Sequence, residues 1–156
     1  MEIQKIQFGP KKYLVVKKAI STDQITDTSM YDKGFKHVAG YLGEHGLKPA
    51  GALSVLYFLW DEKYQKAEIG MGFPVKDIDY VSDPELSLVD VPASKALMSE
   101  LHGSYKNLGM VHDELRKNLQ ENKLDYADMA IEEYVVDPSM TSNQTELVTD
   151  VYYLYR

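Results

Sequence analysis

The alternation of apolar and polar residues along the first half of the chain predicts three strands and one helix. Residues 12–17 are apolar and β-branched, which is typical of a strand. Over residues 28–46 the apolar positions recur at helical spacing, and a glycine closes the run. An apolar run over 52–60 and an alternating run over 66–75 predict two further strands. The predicted order in this half is β-α-β-β.

The same order returns in the second half. Residues 93–102 predict a strand, residues 105–122 a helix, and residues 128–136 and 147–155 two more strands. The intervening residues 76–91 are acidic and contain Asp-Pro, so we interpret them as a linker.

Two such halves predict an α+β domain with pseudo-two-fold symmetry. Three strands and one helix are marginal as an independent unit, so we expect the sheets of both halves to join. The prediction is a single domain over residues 1–156, with pseudo-repeats 1–75 and 92–156, an antiparallel sheet and both helices on one side. A groove at the junction of the halves is the expected ligand site.

Composition narrows the class of protein further. The 17 basic and 24 acidic side chains give a net charge of −7, which argues against direct nucleic-acid binding. The chain has no cysteine, so disulfides, thiol nucleophiles and iron–sulfur clusters are excluded. No apolar run is long enough to cross a membrane and no signal peptide is visible, so we expect a cytoplasmic protein that does not bind membranes.

One strand carries a candidate for the chemistry. On a strand over 128–136, Glu132 and Tyr134 share one face and Glu133 lies on the other. Because this strand is apolar enough to be central, one glutamate is expected to lie inside the domain. Glu132 could then act as a counter-ion for a cationic ligand or as a general acid or base. The alternative is a pair of solvated carboxylates on an open sheet face.

Tyrosine is unusually frequent, with 12 residues beside 4 Phe and 1 Trp. Aromatic faces with a carboxylate form a cage for cations, in which each ring contributes about 0.5–2 kcal/mol. The candidate walls of such a cage are Tyr57, Trp60, Tyr134 and Tyr153.

Neither a metal nor a cofactor is expected. The four histidines, His37, His45, His102 and His112, show no metal-ligand spacing. The pair Gly70 and Gly72 lies inside a predicted strand and indicates close packing or a bulge, not a phosphate-binding loop.

Four motifs resemble, in order, those of the GyrI-like effector-binding domain family. The strand over 68–75 (EIGMGFPV) resembles the family's Gly-x-Gly strand, and residues 102–105 (HGSY) resemble its strand-to-helix junction. Residues 132–138 (EEYVVDP) resemble its E-x-Y-x-x-D-P strand, and residues 147–152 (LVTDVY) its closing strand. Together the motifs extend over nearly the whole chain.

The resemblance implies a tandem β-α-β-β fold with a ligand cavity between the halves. In that family the glutamate of the E-x-Y strand is the acid of the pocket, which corresponds to Glu132, followed by Tyr134. Members sense drug-like and often cationic aromatic compounds, so multidrug binding by a bacterial protein is implied. Some standalone members are similar to hydrolases of strained electrophiles, one member inhibits DNA gyrase, and the SOUL group binds haem.

The leading hypothesis is a standalone module that senses or sequesters an amphipathic or cationic aromatic small molecule. One alternative is a small-molecule hydrolase that uses Glu132 as its catalytic residue. Another is a protein-interaction or inhibitor protein, with a protein partner on its acidic surface. Haem binding is the weakest alternative, because only the histidines offer an axial ligand.

Overall fold

The computed structural model describes residues 1–156 and shows ten main elements. They are β1 (Gln4–Phe8), β2 (Lys11–Ser21), α1 (Thr28–Glu44), β3 (Ser54–Asp61), β4 (Lys66–Val75), β5 (Leu86–Val91), β6 (Ser94–His102), α2 (Leu108–Glu121), β7 (Tyr126–Val136) and β8 (Val148–Tyr155). Short 3-10 turns lie at Thr22–Thr26, Tyr105–Asn107 and Gln144–Glu146. The predicted α+β class is confirmed, and each half is extended by one strand to β-β-α-β-β.

The two strands missing from the sequence prediction are the edges of the sheet. Strand β1 was not predicted at all, and β5 occupies Leu86–Val91 within residues 76–91, which we interpreted as a linker. An edge strand pairs on one side only and is largely exposed, as the first residues of β1 are. The alternation of apolar and polar residues along an edge strand is therefore too weak to distinguish the strand from a loop in the sequence.

All eight strands form one antiparallel sheet in the order β1-β6-β8-β7-β3-β4-β2-β5. Strands β6, β8 and β7 of the second half meet strands β3, β4 and β2 of the first half at the β7–β3 pair. The two edge strands are exchanged between the halves, because β1 pairs with β6 and β5 pairs with β2. Strands β3 and β4 run between β2 and β7, yet Lys11 Nζ on β2 lies 3.3 Å from Glu133 Oε2 on β7. This short distance shows that the sheet is curved.

Both helices pack on the same face of this sheet, as predicted. Helix α1 begins after Asp27, whose carboxylate accepts hydrogen bonds from the backbone N–H groups of Ser29 and Met30. It packs on β2 and β4, whereas α2 packs on β6 and β8. The central strands β3 and β7 therefore face the gap between the helices. Neither helix combines the length and the apolar character that crossing a membrane requires.

The sheet has two distinct faces. The helix face carries the larger apolar core, including Val55, Tyr57, Val151 and Tyr153, together with the apolar sides of α1 and α2. The second face carries a smaller cluster without a helix over it, whose members include Tyr13, Leu56, Ile131 and Tyr152.

Close packing explains the Gly-x-Gly sequence of β4. A Cβ atom added to Gly72 would lie 1.9 Å from the carbonyl oxygen of Leu14 on the neighbouring strand β2. No side chain can be accommodated at that distance, since backbone atoms cannot yield as a flexible side chain can. The interpretation of this sequence as close packing is confirmed.

Candidate functional site

The candidate site is centred on Glu132, in the middle of the helix face. Strand β7 places Glu132 between Val55 of β3 and Val151 of β8, both of which are fully buried. Glu132 is only 3% exposed. A carboxylate in such apolar surroundings must be paired or hydrogen-bonded to remain ionised.

Two side chains hold the two oxygens of this carboxylate. Nε2 of His112 on α2 lies 2.6 Å from Oε2, and the hydroxyl of Tyr134 donates a hydrogen bond to Oε1. The side chains of His112 and Glu132 are 11% and 4% exposed, so the contact is shielded from water. It joins helix α2 to the centre of the sheet.

These contacts keep Glu132 ionised. Burial by itself would raise its pKa, but the hydrogen bonds from His112 and Tyr134, with a smaller contribution from the nearby Tyr57 hydroxyl, bring the pKa below its usual value. Burial and the negative charge of Glu132 raise the pKa values of Tyr57 and Tyr134 well above the ordinary range. The site thus combines one buried negative charge with neutral hydroxyl groups.

A second set of hydrogen bonds lies behind His112. Its Nδ1 atom is 2.6 Å from the hydroxyl oxygen of Tyr153 on β8. Arg116, one turn further along α2, donates from Nη1 to the same oxygen at 2.9 Å, and its Nη2 lies 2.6 Å from Asp113 Oδ1. A continuous chain of polar contacts therefore runs from the helix surface to the buried carboxylate.

Aromatic rings from both halves of the chain surround the site. Tyr57 packs edge-on against His112, with ring centroids 5.3 Å apart. Tyr134 packs against Phe35 of α1 at 6.4 Å and against Tyr105, just before α2, at 5.8 Å. Phe35, Tyr105 and Tyr134 are only partly buried, so solvent reaches part of this ring cluster beside Glu132.

A β-bulge decides which rings of β3 reach this face. Regular alternation would place Tyr57 and Trp60 on opposite faces, because they are three residues apart. The pairing of β3 with β4 shifts by one residue between Tyr57 and Leu59, so both rings pack on the helix face with centroids 6.4 Å apart. Trp60 lies at the rim, where its Nε1 donates to Glu62 at 3.3 Å.

The structure brings most of the predicted site residues together. Tyr134 and Tyr57 adjoin Glu132, Tyr153 reaches it through His112, and Trp60 extends the row of rings outward. Their role in ligand binding stays a prediction.

Sequence reasoning did not identify His112 and Arg116 as site residues. His112 belongs to the apolar stripe of α2 that also contains Val111 and Leu115, and a polar residue on such a stripe was the available signal. Arg116, one turn later, gave no comparable signal.

The second face has a different arrangement. Glu133, Asp150 and Glu100 lie in register on β7, β8 and β6, so three carboxylates form a row across the sheet. Lys11 contacts Glu133 at one end. Burial and the neighbouring carboxylates raise the pKa of Asp150 to about 6. The hydroxyl of Tyr13, a fully buried residue on this face, has no hydrogen-bond partner.

Two surface cavities lie away from Glu132. One, of about 320 Å³, is bordered by Lys11, Lys12 and Glu133 at the rim of the second face. The other, of about 330 Å³, lies beside His37 and Asp83 and is lined mostly by polar side chains of α1.

One group at the surface, of which two members are partly buried, has donor atoms close enough to hold a metal ion. Donor atoms of His37, Asp83 and Glu85 lie within 4.8 Å of one another. His37 Nε2 is 2.7 Å from Asp83 Oδ2, and this hydrogen bond lowers the pKa of Asp83. The contact attaches the segment before β5 to α1, and the expectation that the chain binds no metal stays a prediction.

A buried carboxylate between aromatic rings, at the junction of two similar half-sheets, is the arrangement of a small-molecule-binding domain. The family model of the GyrI-like small molecule binding domain matches residues 1–156, so the chain belongs to this family. A comparison with curated proteins gave no match.

Solved structures with the same fold include three of particular interest. A chain of the EcmrR–DNA complex in EcmrR-RPo superposes with a TM-score of 0.83 at 13% identity, covering 99% of this chain and 57% of that one. SAV2435 bound to tetraphenylphosphonium gives 0.71 at 14% identity, covering 100% and 94%. A hydrolase encoded by lin2189 from Listeria innocua gives 0.63 at 11% identity, covering 99% and 92%. This chain therefore spans little more than half of the EcmrR chain.

Proposed function

We propose that this GyrI-like domain senses or sequesters lipophilic aromatic cations, which it binds in the gap between α1 and α2 with Glu132 as their counter-ion. The observation that carries the proposal is a carboxylate that is 3% exposed among tyrosine rings, with His112 and Tyr134 hydrogen-bonded to its two oxygens. A cation that leaves water loses its hydration, and only a buried negative charge and aromatic faces can replace it. Tyr57, Trp60, Tyr134 and Tyr153 are the proposed walls.

The partly buried rings support this location. Phe35 and Tyr105 come from opposite halves and both contact Tyr134. An aromatic cation between them would stack on rings from both halves of the chain while its charge approached Glu132. Movement of either helix would then be coupled to binding, which suits a sensor.

The comparisons support the same ligand class. SAV2435, with this fold, was solved with tetraphenylphosphonium, a lipophilic aromatic cation. EcmrR was solved in a complex with DNA, and this chain matches only part of that protein. We carry over the ligand class alone, and we propose no nucleic-acid contact for residues 1–156.

The test is calorimetric titration of tetraphenylphosphonium into the wild-type chain and into Glu132→Gln and Glu133→Gln. The two glutamates are consecutive on β7 and face opposite sides, so each substitution removes the same charge from the chain. We expect Glu132→Gln to weaken binding about tenfold or more, equivalent to about 1.4 kcal/mol. Glu133→Gln should bind within a factor of about two of wild type, since it touches only the remote, screened charge. Equal losses in both variants, or no binding by wild type, would contradict the proposal.

Hydrolysis of an electrophilic, strained-ring small molecule is a second candidate function. The contacts Glu132–His112–Tyr153 place a carboxylate, an imidazole and a hydroxyl in one chain, which could hold and transfer a proton. The lin2189 protein, described as a hydrolase, shares the fold. Here Glu132 would activate a water molecule. Turnover of an epoxide probe by wild type and by Glu133→Gln, but not by Glu132→Gln, would support this function, and persistent turnover in Glu132→Gln would exclude Glu132 from it.

A further inference from the structure

The hydrogen bonds behind Glu132 have a direction that the chemistry of their donors determines. A guanidinium group has only donors, so Arg116 must donate to the Tyr153 oxygen that lies 2.9 Å away. A tyrosine hydroxyl carries one hydrogen. With its oxygen occupied by Arg116, that hydrogen is available for the other near atom, Nδ1 of His112 at 2.6 Å.

The direction continues through the imidazole ring. If Nδ1 accepts from Tyr153, the single proton of a neutral ring must be on Nε2, from which it is donated to Glu132 Oε2 at 2.6 Å. The other neutral tautomer would direct a nitrogen lone pair at a carboxylate oxygen, which is repulsive. A doubly protonated ring would donate to Tyr153 from Nδ1.

Double protonation conflicts with the surroundings of Tyr153. Its oxygen would then accept from both Arg116 and His112, and its own hydrogen would need a third partner. The hydroxyl makes no hydrogen bond other than these two, and Tyr153 is only 4% exposed. A buried hydroxyl hydrogen without an acceptor is unfavourable. A neutral imidazole with its proton on Nε2, beside a neutral Tyr153 hydroxyl, gives every donor and acceptor between Arg116 and Glu132 a partner.

We propose that Arg116 and Tyr153 are positioning residues that hold His112 neutral with its proton on Nε2, so that Glu132 is hydrogen-bonded but not neutralised. The inference rests on the proposed function, because the preserved negative charge is what a cationic ligand would use. An imidazolium at this position would be an internal cation in competition with the ligand.

This arrangement predicts that acidification weakens cation binding. The ionisable or charged groups around His112 and its partners come from every neighbouring element: Tyr31 on α1, Tyr57 on β3, Glu62 after β3, Tyr105 before α2, Asp113 and Arg116 on α2, Tyr126, Glu132 and Tyr134 on β7, and Tyr153 on β8. None of these neighbouring groups is of a type that ordinarily titrates near neutral pH. A loss of affinity on mild acidification would therefore report on protonation of the imidazole ring.

The first measurement needs no ligand. Long-range ¹H–¹⁵N correlation spectra of the ¹⁵N-labelled chain distinguish the two neutral tautomers from imidazolium. We expect wild-type His112 at pH 7 to carry its proton on Nε2 alone. Arg116→Met removes the donor that orients the Tyr153 hydroxyl, so His112 should gain imidazolium character at the same pH. Arg116→Lys, which keeps a donor, should restore the wild-type spectrum, and Lys117→Met, next to it on α2, should not alter it.

The second measurement repeats these variants with tetraphenylphosphonium between pH 5.5 and 8. We expect wild-type affinity to fall as the pH is lowered, and we expect Arg116→Met to bind the cation more weakly than wild type at pH 7, whereas Arg116→Lys should bind like wild type. An imidazolium in wild type at pH 7, or Arg116→Met identical to wild type in both measurements, would overturn the inference. Wild-type protein could show the expected tautomer and yet fail to bind the cation. That result would overturn the proposed function but not the inference that Arg116 and Tyr153 position His112.

Discussion

Glu132 and Glu133 are neighbours on one strand, yet the two faces of the sheet treat them differently. Glu132 lies under the helices, with His112 and Tyr134 on its two oxygens. Glu133 lies on the second face, where its side chain is 17% exposed and its cationic partner is Lys11 at 3.3 Å. The different surroundings of the two carboxylates therefore follow from what the helices bring to the sheet, since residue type and strand are the same.

The charge balance differs between the faces as well. On the helix face, hydrogen-bond donors surround a single carboxylate and lower its pKa. On the second face, Glu100 and Glu133 flank Asp150 and raise its pKa to about 6. The first arrangement stabilises a buried ion, and the second is an unfavourable row of like charges that nearby water screens.

The largest expected difference is between His112 and Lys11, the partners of the two glutamates. His112→Ala should lower the free energy of unfolding by about 3 kcal/mol, because it leaves a buried carboxylate without its main hydrogen-bond donor. Lys11→Ala should cost about 1 kcal/mol or less, because the Lys11–Glu133 pair is partly exposed. Urea unfolding at pH 7 measures both values. A cost for His112→Ala no greater than that for Lys11→Ala would contradict the comparison.

Two tyrosine hydroxyls provide a smaller contrast. Tyr134→Phe removes a hydrogen bond to the charged Glu132 and should cost about 2 kcal/mol. Tyr13→Phe on the second face removes a buried hydroxyl that has no partner, so the protein should be unchanged or more stable. Thermal unfolding of the two single variants tests this, and a larger loss in Tyr13→Phe would show that the faces have been assigned wrongly.

The smallest effect concerns Asp150 and depends on pH. A carboxyl group whose pKa is higher in the folded than in the unfolded protein destabilises the fold once it ionises. For Asp150 this destabilisation develops as the pH rises from the unfolded-state pKa through the folded-state pKa of about 6. Asp150→Asn should therefore stabilise the protein at pH 8 by about 1 kcal/mol, after allowance for solvent screening, and have little effect at pH 3.5. Urea midpoints at the two pH values check the sign, and a loss of stability at pH 8 would refute it.

Glu132 should give the opposite slope. Its folded pKa lies below the ordinary value, so its contribution is present at neutral pH and is lost as the pH falls through the folded pKa. In Glu132→Gln the free energy of unfolding should accordingly fall less steeply as the pH is lowered. In Glu133→Gln it should fall as it does in wild type. A pH series of urea midpoints for the two variants decides between these outcomes.

Local periodicity explains why part of the site was predictable. Alternation along β7 was sufficient to place Glu132 and Tyr134 on one face, and the E-x-Y motif indicated the same pair. The position of Trp60 beside Tyr57 depends on a bulge, which alternation does not reveal. The contact of His112 with Glu132 depends on how α2 docks on β7 and β8, so a tertiary arrangement decides it and no local pattern does.

The same reasoning applies to the fold. Both helices and the six inner strands have strong periodic signals and were predicted. The edge strands β1 and β5 owe their structure to pairing with β6 and β2, which are distant in sequence. Their pattern alone indicates only polar, connecting segments.

The most direct test of the central claim is a crystal structure of the chain with tetraphenylphosphonium bound. We expect the phosphonium on the helix face, between α1 and α2, with the carboxylate of Glu132 as the nearest negative charge. A cation bound on the second face beside Glu133, or in the cavity bordered by Lys11 and Lys12, with Glu132 and His112 unchanged, would contradict it.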